Sequence, residues 1–164
     1  MESRVKIFGH PIHPTLIVFP LGLFATAVIM DIMYLITKGP NFPIVAYWDI
    51  IVGIIVGLIA AVFGLIDLLA IPGGSRAKSV GTMHGVGNVI LVVLFLISLI
   101  LRRSAAGHVP TALAMIFSFA GIILGLFTGW LGGELVDRLG VGVYPGANVN
   151  SSSSLSGGPA GQAK

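Results

Sequence analysis

Cysteine is absent from the 164 residues, which excludes disulfides, thiol catalysis and iron–sulfur ligation by this chain. Charge is nearly as scarce. Lys, Arg, Asp and Glu make up 9% of the sequence against 55% hydrophobic residues, so there is too little polar surface to coat a water-soluble fold of this size. Several catalytic patterns are missing as well: there is no Ser-His-acid order, no phosphate-binding glycine loop and no His-Glu-x-x-His stretch. An enzyme is therefore not the expected reading. The net charge of +3 is spread over nine Lys and Arg at the ends of apolar runs, with no basic stripe, so nucleic acid is not expected as a partner.

What is present is apolar sequence in four blocks, about residues 14–36, 45–71, 82–101 and 109–131. Each exceeds the roughly 20 residues that cross a bilayer as a helix, and none shows the short alternating segments of a barrel strand. The expected fold is all-α: a transmembrane four-helix bundle, up-down-up-down, occupying residues 1–146 in the lipid bilayer. Residues 147–164 form a Ser/Gly-rich tail with almost no bulky side chain and are expected to be disordered. Arg4 and Lys6 precede an apolar stretch reaching Ala25-Thr26-Ala27, as in a signal peptide. The apolar run continues well past that point, and an uncleaved first span fits better. Pro20 removes a hydrogen bond to Leu16 and should bend this helix.

With four spans, Arg4, Lys6, Arg76, Lys78 and Arg138 share one side and Lys38, Arg102 and Arg103 the other. The excess predicts a multi-pass protein of the cell membrane with both termini in the cytoplasm. Tyr34, Tyr47 and Trp48 would mark one interface, Trp130 and Tyr144 the other. Gly53-xxx-Gly57 and Gly121-xxx-Gly125-xxx-Gly129, extended by Gly133, line helix faces with no side chains. Such faces serve packing within the bundle or a close seam between two copies.

Ionisable groups at membrane depth are functional candidates, and here they separate by end. Asp31, Asp49, Arg102, Arg103 and His108 fall at one end. Ion pairs between helix ends account for the acids and arginines there, and His108 is expected as a solvated loop residue. The other end collects His10, His13, Asp67, Arg76, Lys78, His84, Asn88, Glu134, Asp137 and Arg138. In Gly9-His10-Pro11-Ile12-His13-Pro14 each proline biases its predecessor to extended backbone, so both histidines are expected on a stiff lead-in that ends where Pro14 opens the helix. His84 and Asn88, four apart, share a helix face. His13 with Gly64 and Asp67, and His84 with Gly129, Gly133 and Glu134, also suggest two related hairpins, with His-to-acid separations of 54 and 50 residues. Chance likeness of two apolar hairpins is the competing explanation.

These features, together with Gly129-Trp130-Leu131-Gly132-Gly133-Glu134-Leu135-Val136 and Gly140-Val141-Gly142-Val143, resemble the bacterial and archaeal membrane proteins called domain of unknown function 2231, from about Gly9 to Val143. The resemblance implies four transmembrane helices. Some similar proteins are fused to a Rieske-type iron–sulfur domain, which implies redox company, although no such domain is present in this chain.

Two functional readings follow. In the first, His10, His13 and His84 bind haem b or a transition metal ion, with Asp67, Asn88 and Glu134 supporting them, in a redox role that involves a redox protein or a homo-oligomer. In the second, the same groups are a cofactor-free polar cap that satisfies helix ends and docks a partner.

Overall fold

A computed structural model describes residues 1–156. The chain is an antiparallel bundle of four membrane-length helices. The first span, Ile12–Thr37, consists of α1 (Ile12–Leu16) and α2 (Val18–Thr37). It is followed by α3 (Asn41–Ala70), α4 (Arg76–Arg102) and α5 (Ala112–Gly133), the last continued by a π-helical turn over Glu134–Arg138. Neighbours around the ring are α2, α3, α4 and α5 in order, with α5 closing back on α2. Leu58, Val62, Leu69, Ile123 and Leu126 stand exposed on the outer surface, where hydrocarbon rather than water suits them.

The interruption between α1 and α2 falls at Ile17, where Pro20 withholds its N–H from Leu16, as the sequence led us to expect. Three helices begin earlier than their apolar runs. Pro43 lies in the first turn of α3, where a backbone N–H has no helical partner to lose. In α4 the polar opening Arg76 to Ser79 is helical because the Ser75 hydroxyl caps it, accepting from the Lys78 N–H at 3.1 Å. Pro14 is likewise inside α1, which places His13 on a helix instead of the extended lead-in expected for it. The lead-in is a tight β-hairpin pairing Lys6–Ile7 with His10–Pro11. Its two corner residues, Phe8 and Gly9, both have positive φ, the backbone of a type I′ turn.

The centre of the bundle is an aromatic stack. Phe24 and Phe95 lie with ring centroids 4.1 Å apart and planes at 12°, surrounded by Ala27, Val28, Ala46, Ile50, Ile54 and Leu91. Each ring is seated on a glycine of the helix that follows its own. A Cβ on Gly53 would stand 2.7 Å from the Phe24 ring, and one on Gly121 would stand 2.7 Å from Phe95. Gly57 faces Pro20 and Gly125 faces Leu91 in the same way. A Cβ on Gly129 or Gly133, in contrast, would meet no other part of the described residues within 4 Å. A four-residue step overshoots a helical turn by about 40°, so the glycine row leaves the interface after Gly125, and Thr128 and Gly132 continue it.

These contacts reveal the internal symmetry. His13, Pro20, Phe24 and Asp31 of the first span correspond to His84, Leu91, Phe95 and Arg102 of the third, each pair 71 residues apart. Gly53, Gly57, Ala60 and Gly64 correspond to Gly121, Gly125, Thr128 and Gly132, each 68 apart. The hairpins are therefore related by a pseudo-twofold axis, as expected, but the carboxylates do not obey it. Asp67 corresponds to Leu135 and not to Glu134.

Of the Ser/Gly-rich tail, residues 157–164 lie outside the described residues. Residues 147–156 run through turns to a single 3-10 turn at Ser154–Ser156. The glycine contacts generate a paired expectation for unfolding in detergent: Gly121→Ala forces the Phe95 ring aside and costs about 1–3 kcal/mol, whereas Gly129→Ala is neutral or stabilising by up to about 1 kcal/mol. Equal effects at the two positions would contradict the inward and outward assignment.

Candidate functional site

His13 and His84 meet between the hairpins at the end of the bundle where the first span begins. Their ring centroids are 6.3 Å apart and their planes are nearly perpendicular, at 87°. Both side chains are half-buried. Each is anchored within its own hairpin by the same device. His13 Nδ1 lies 2.9 Å from the Ala60 carbonyl and His84 Nδ1 lies 2.9 Å from the Thr128 carbonyl. A carbonyl only accepts, so both Nδ1 atoms carry a proton, and in a neutral ring Nε2 then holds the lone pair. The rings lie close to glycines: a Cβ on Gly64 would be 2.7 Å from His13 Cε1, and one on Gly132 would be 3.2 Å from His84 Cε1.

Asn88 ties the second ring further. Its Nδ2 is 3.2 Å from His84 Nε2 and donates to the His84 carbonyl at 2.9 Å, while its Oδ1 accepts from the Thr128 hydroxyl at 3.1 Å. His13 Nε2 has no hydrogen-bond partner among the described residues. The buried Thr128 thus holds the site twice, through its carbonyl and its hydroxyl. Sequence reading missed it, although its place three residues after Gly125 and four before Gly132 marks the inward face.

The other residues expected here do not join the pair. His10 is exposed on its strand, with Nε2 3.3 Å from the Ser154 hydroxyl. A three-histidine site is not assembled, and among the described residues there is no group of three or more His, Cys, Asp or Glu placed to hold a metal. Asp67 is a clasp instead of a support for the imidazoles: its two oxygens accept from the Ser3 hydroxyl and the Arg4 N–H, both at 2.7 Å. Glu134 pairs with Arg76 at 2.5 Å. Asp67 fastens the N-terminal segment to the end of α3, and Glu134 ties the turn after α5 to the start of α4.

The clasp belongs to a small system that folds residues 1–11 over this end. The Tyr144 hydroxyl donates to the Gly9 carbonyl at 3.2 Å, and Lys6 lies over the Tyr144 ring while bonding Glu2. Glu2 first, then Tyr144, holds the Lys6 ammonium above the usual lysine range, against some loss of hydration. This tie is therefore complete below the ordinary lysine pKa and is lost only as pH climbs through the raised one. An open cleft of about 770 Å³ beside the clasp is lined by Ser3, Arg4, Lys6 and Pro72 and does not include either histidine.

The opposite end is organised differently. Arg102 and Asp31 form a bidentate pair, with both N···O distances 2.9 Å and both side chains at 0% exposure. The guanidinium also donates to the hydroxyls of Ser98 and Ser118 at 2.9 and 3.2 Å. The ion pair was expected between helix ends, but α2 runs on to Thr37, so Asp31 lies inside its span. Arg103 is exposed, and Asp49 Oδ2 is buried without a partner among the described residues. His108 is stacked on Tyr47 at 3.7 Å and is not simply solvated.

The family model described as a predicted membrane protein (DUF2231) matches residues 9–145, which spans both ends of the bundle. No curated protein and no solved structure matches the chain.

The clasp generates its own expectation. Asp67→Ala removes two hydrogen bonds to a carboxylate, leaving the Ser3 hydroxyl only the Val5 carbonyl at 3.1 Å and the exposed Arg4 N–H to water, at a cost of about 1–3 kcal/mol, and amide exchange of residues 1–10 accelerates while that of α4 does not. Unchanged exchange in residues 1–10 would show that Asp67 does not hold them.

Proposed function

The chain belongs to the domain of unknown function 2231 family of membrane proteins, and from that premise we propose that His13 and His84 together hold haem iron or a single transition metal ion in a redox role. The observation that carries this reading is the separation of the two rings together with their anchoring. Imidazole nitrogens bind such metals at about 2.0–2.1 Å, so two imidazoles that held one ion would have centroids no more than roughly 6–6.5 Å apart once the ring radius is added. The measured 6.3 Å lies within that limit.

A ligating histidine ordinarily gives its other N–H to a carbonyl or carboxylate, which fixes its tautomer and orientation. His13 and His84 both do so. The residues present fit a two-ligand site and not a three-histidine one. A bound iron or copper would supply one-electron chemistry. The chain's own part is to present two imidazoles from separate hairpins, each oriented by a main-chain carbonyl. The proposal includes a cytoplasmic placement of this end, on the balance of basic residues, and a redox partner or a second copy that approaches there.

A second reading, a cofactor-free polar cap, is favoured by Asn88, whose amide already engages the His84 lone pair at 3.2 Å. The two readings separate in the purified protein. After expression with haem, iron and copper supplied, we expect bound metal by elemental analysis, with a haem absorption band if haem is the form bound. His13→Ala and His84→Ala should each lose it, while His10→Ala and His108→Ala should keep it. A colourless, metal-free wild type would refute the metal reading and leave the cap.

A further inference from the structure

We infer that the Asp31–Arg102 pair decides which hairpin packs on which: it selects the first hairpin with the second and rejects assembly of either with its like from another copy of the chain. This goes beyond the histidine site and stands whether or not that site holds a metal.

The argument starts from the pseudo-twofold axis. Three contacts across the axis join equivalent positions of the two hairpins: His13 with His84, Phe24 with Phe95, and Asp31 with Arg102. The first two join residues of the same type. Two copies of the first hairpin, brought together in this geometry, could repeat them, and so could two copies of the second. The glycine seats beneath the rings are duplicated too, Gly53 with Gly57 in one hairpin and Gly121 with Gly125 in the other. Shape alone therefore leaves the choice of partner open.

The third contact is different in kind. Like pairing would oppose Asp31 with Asp31, or Arg102 with Arg102, at a position fully shut off from solvent. Lipid offers such charges no hydration, and like charges brought together reject a wrong partner. The surroundings sharpen the choice. Ser98 and Ser118, which serve the guanidinium, correspond in the first hairpin to Ala27 and Ile50, all four at 0% exposure. Only the second hairpin is built to receive an arginine. A buried ion pair is a weak source of stability compared with apolar residues of similar size, and its best-attested role is to fix register or partner.

The test uses the full-length chain, co-expressed in two differently tagged forms, extracted in mild detergent, with capture of one tag and detection of the other alongside size-exclusion chromatography. The apolar replacement Asp31→Leu with Arg102→Met is expected to remain folded, to lose its single elution species, and to show a several-fold rise in cross-copy capture over wild type. If it stays a single species with wild-type capture, the inference is overturned. Should that variant fail to fold, the charge exchange made together with its hydroxyls decides: Asp31→Arg, Ala27→Ser and Ile50→Ser with Arg102→Asp, Ser98→Ala and Ser118→Ile. It is expected to restore a single species at wild-type capture, whereas each single reversal is lost or assembles across copies. An exchange variant no better than the single reversals overturns the inference equally.

Discussion

Lipid tails compete for apolar surface as well as a leucine does, so helices in a bilayer approach one another only where contact is better than the contact lipid already offers. Here that contact is an aromatic ring set against a neighbouring glycine, made once in each hairpin, with the two rings then stacked on each other. The rest of the interior follows from the spacing this imposes. Three turns from the rings toward one end, the same register brings His13 and His84 together, and two turns toward the other it brings Asp31 to Arg102.

The two ends handle their buried polar groups in opposite ways, and the arginine end leaves Asp49 Oδ2 and Arg102 Nε with no partner among the described residues. At the arginine end every partner of the charged pair comes from the membrane-spanning helices, and the pair is sealed. At the histidine end the imidazoles borrow backbone carbonyls that have room for a second hydrogen bond; the Asn88 amide meets His84 Nε2, and His13 Nε2 has no hydrogen-bond partner among the described residues. The outer acids at that end serve the chain's own segments. The polar core of the site therefore reduces to two histidines, Asn88 and Thr128.

The sequence made the class of fold plain, since hydropathy and length alone identify membrane spans. Helix starts were less visible, because capping by Ser75 and the tolerance for Pro43 in a first turn act where hydropathy is silent. The meeting of His13 with His84 was legible from span ends, and the exclusion of His10 was not, since it depends on a two-residue turn at Phe8 and Gly9. Thr128 was hidden for a further reason: half its contribution is a main-chain carbonyl, which carries no residue-type signal. The repeat was detectable, but the acids were poor markers for it. Asp67 and Glu134 bond different partners, the N-terminal segment and Arg76, and neither sets the distance between the helices.

The 71 residues between Asp31 and Arg102 also set a waiting time during synthesis. At about 5–20 residues per second the ribosome needs roughly 4–14 seconds to supply the arginine after the aspartate has been made. Over that interval the first hairpin can enter the membrane with a carboxyl group about 9 Å inside its span, six residues before Thr37, and no partner to neutralise it. A carboxylate is costly at membrane depth without a partner, so the first hairpin settles fully only once the third span arrives. Completion of the bundle is thereby tied to the moment at which the chain's second half becomes available.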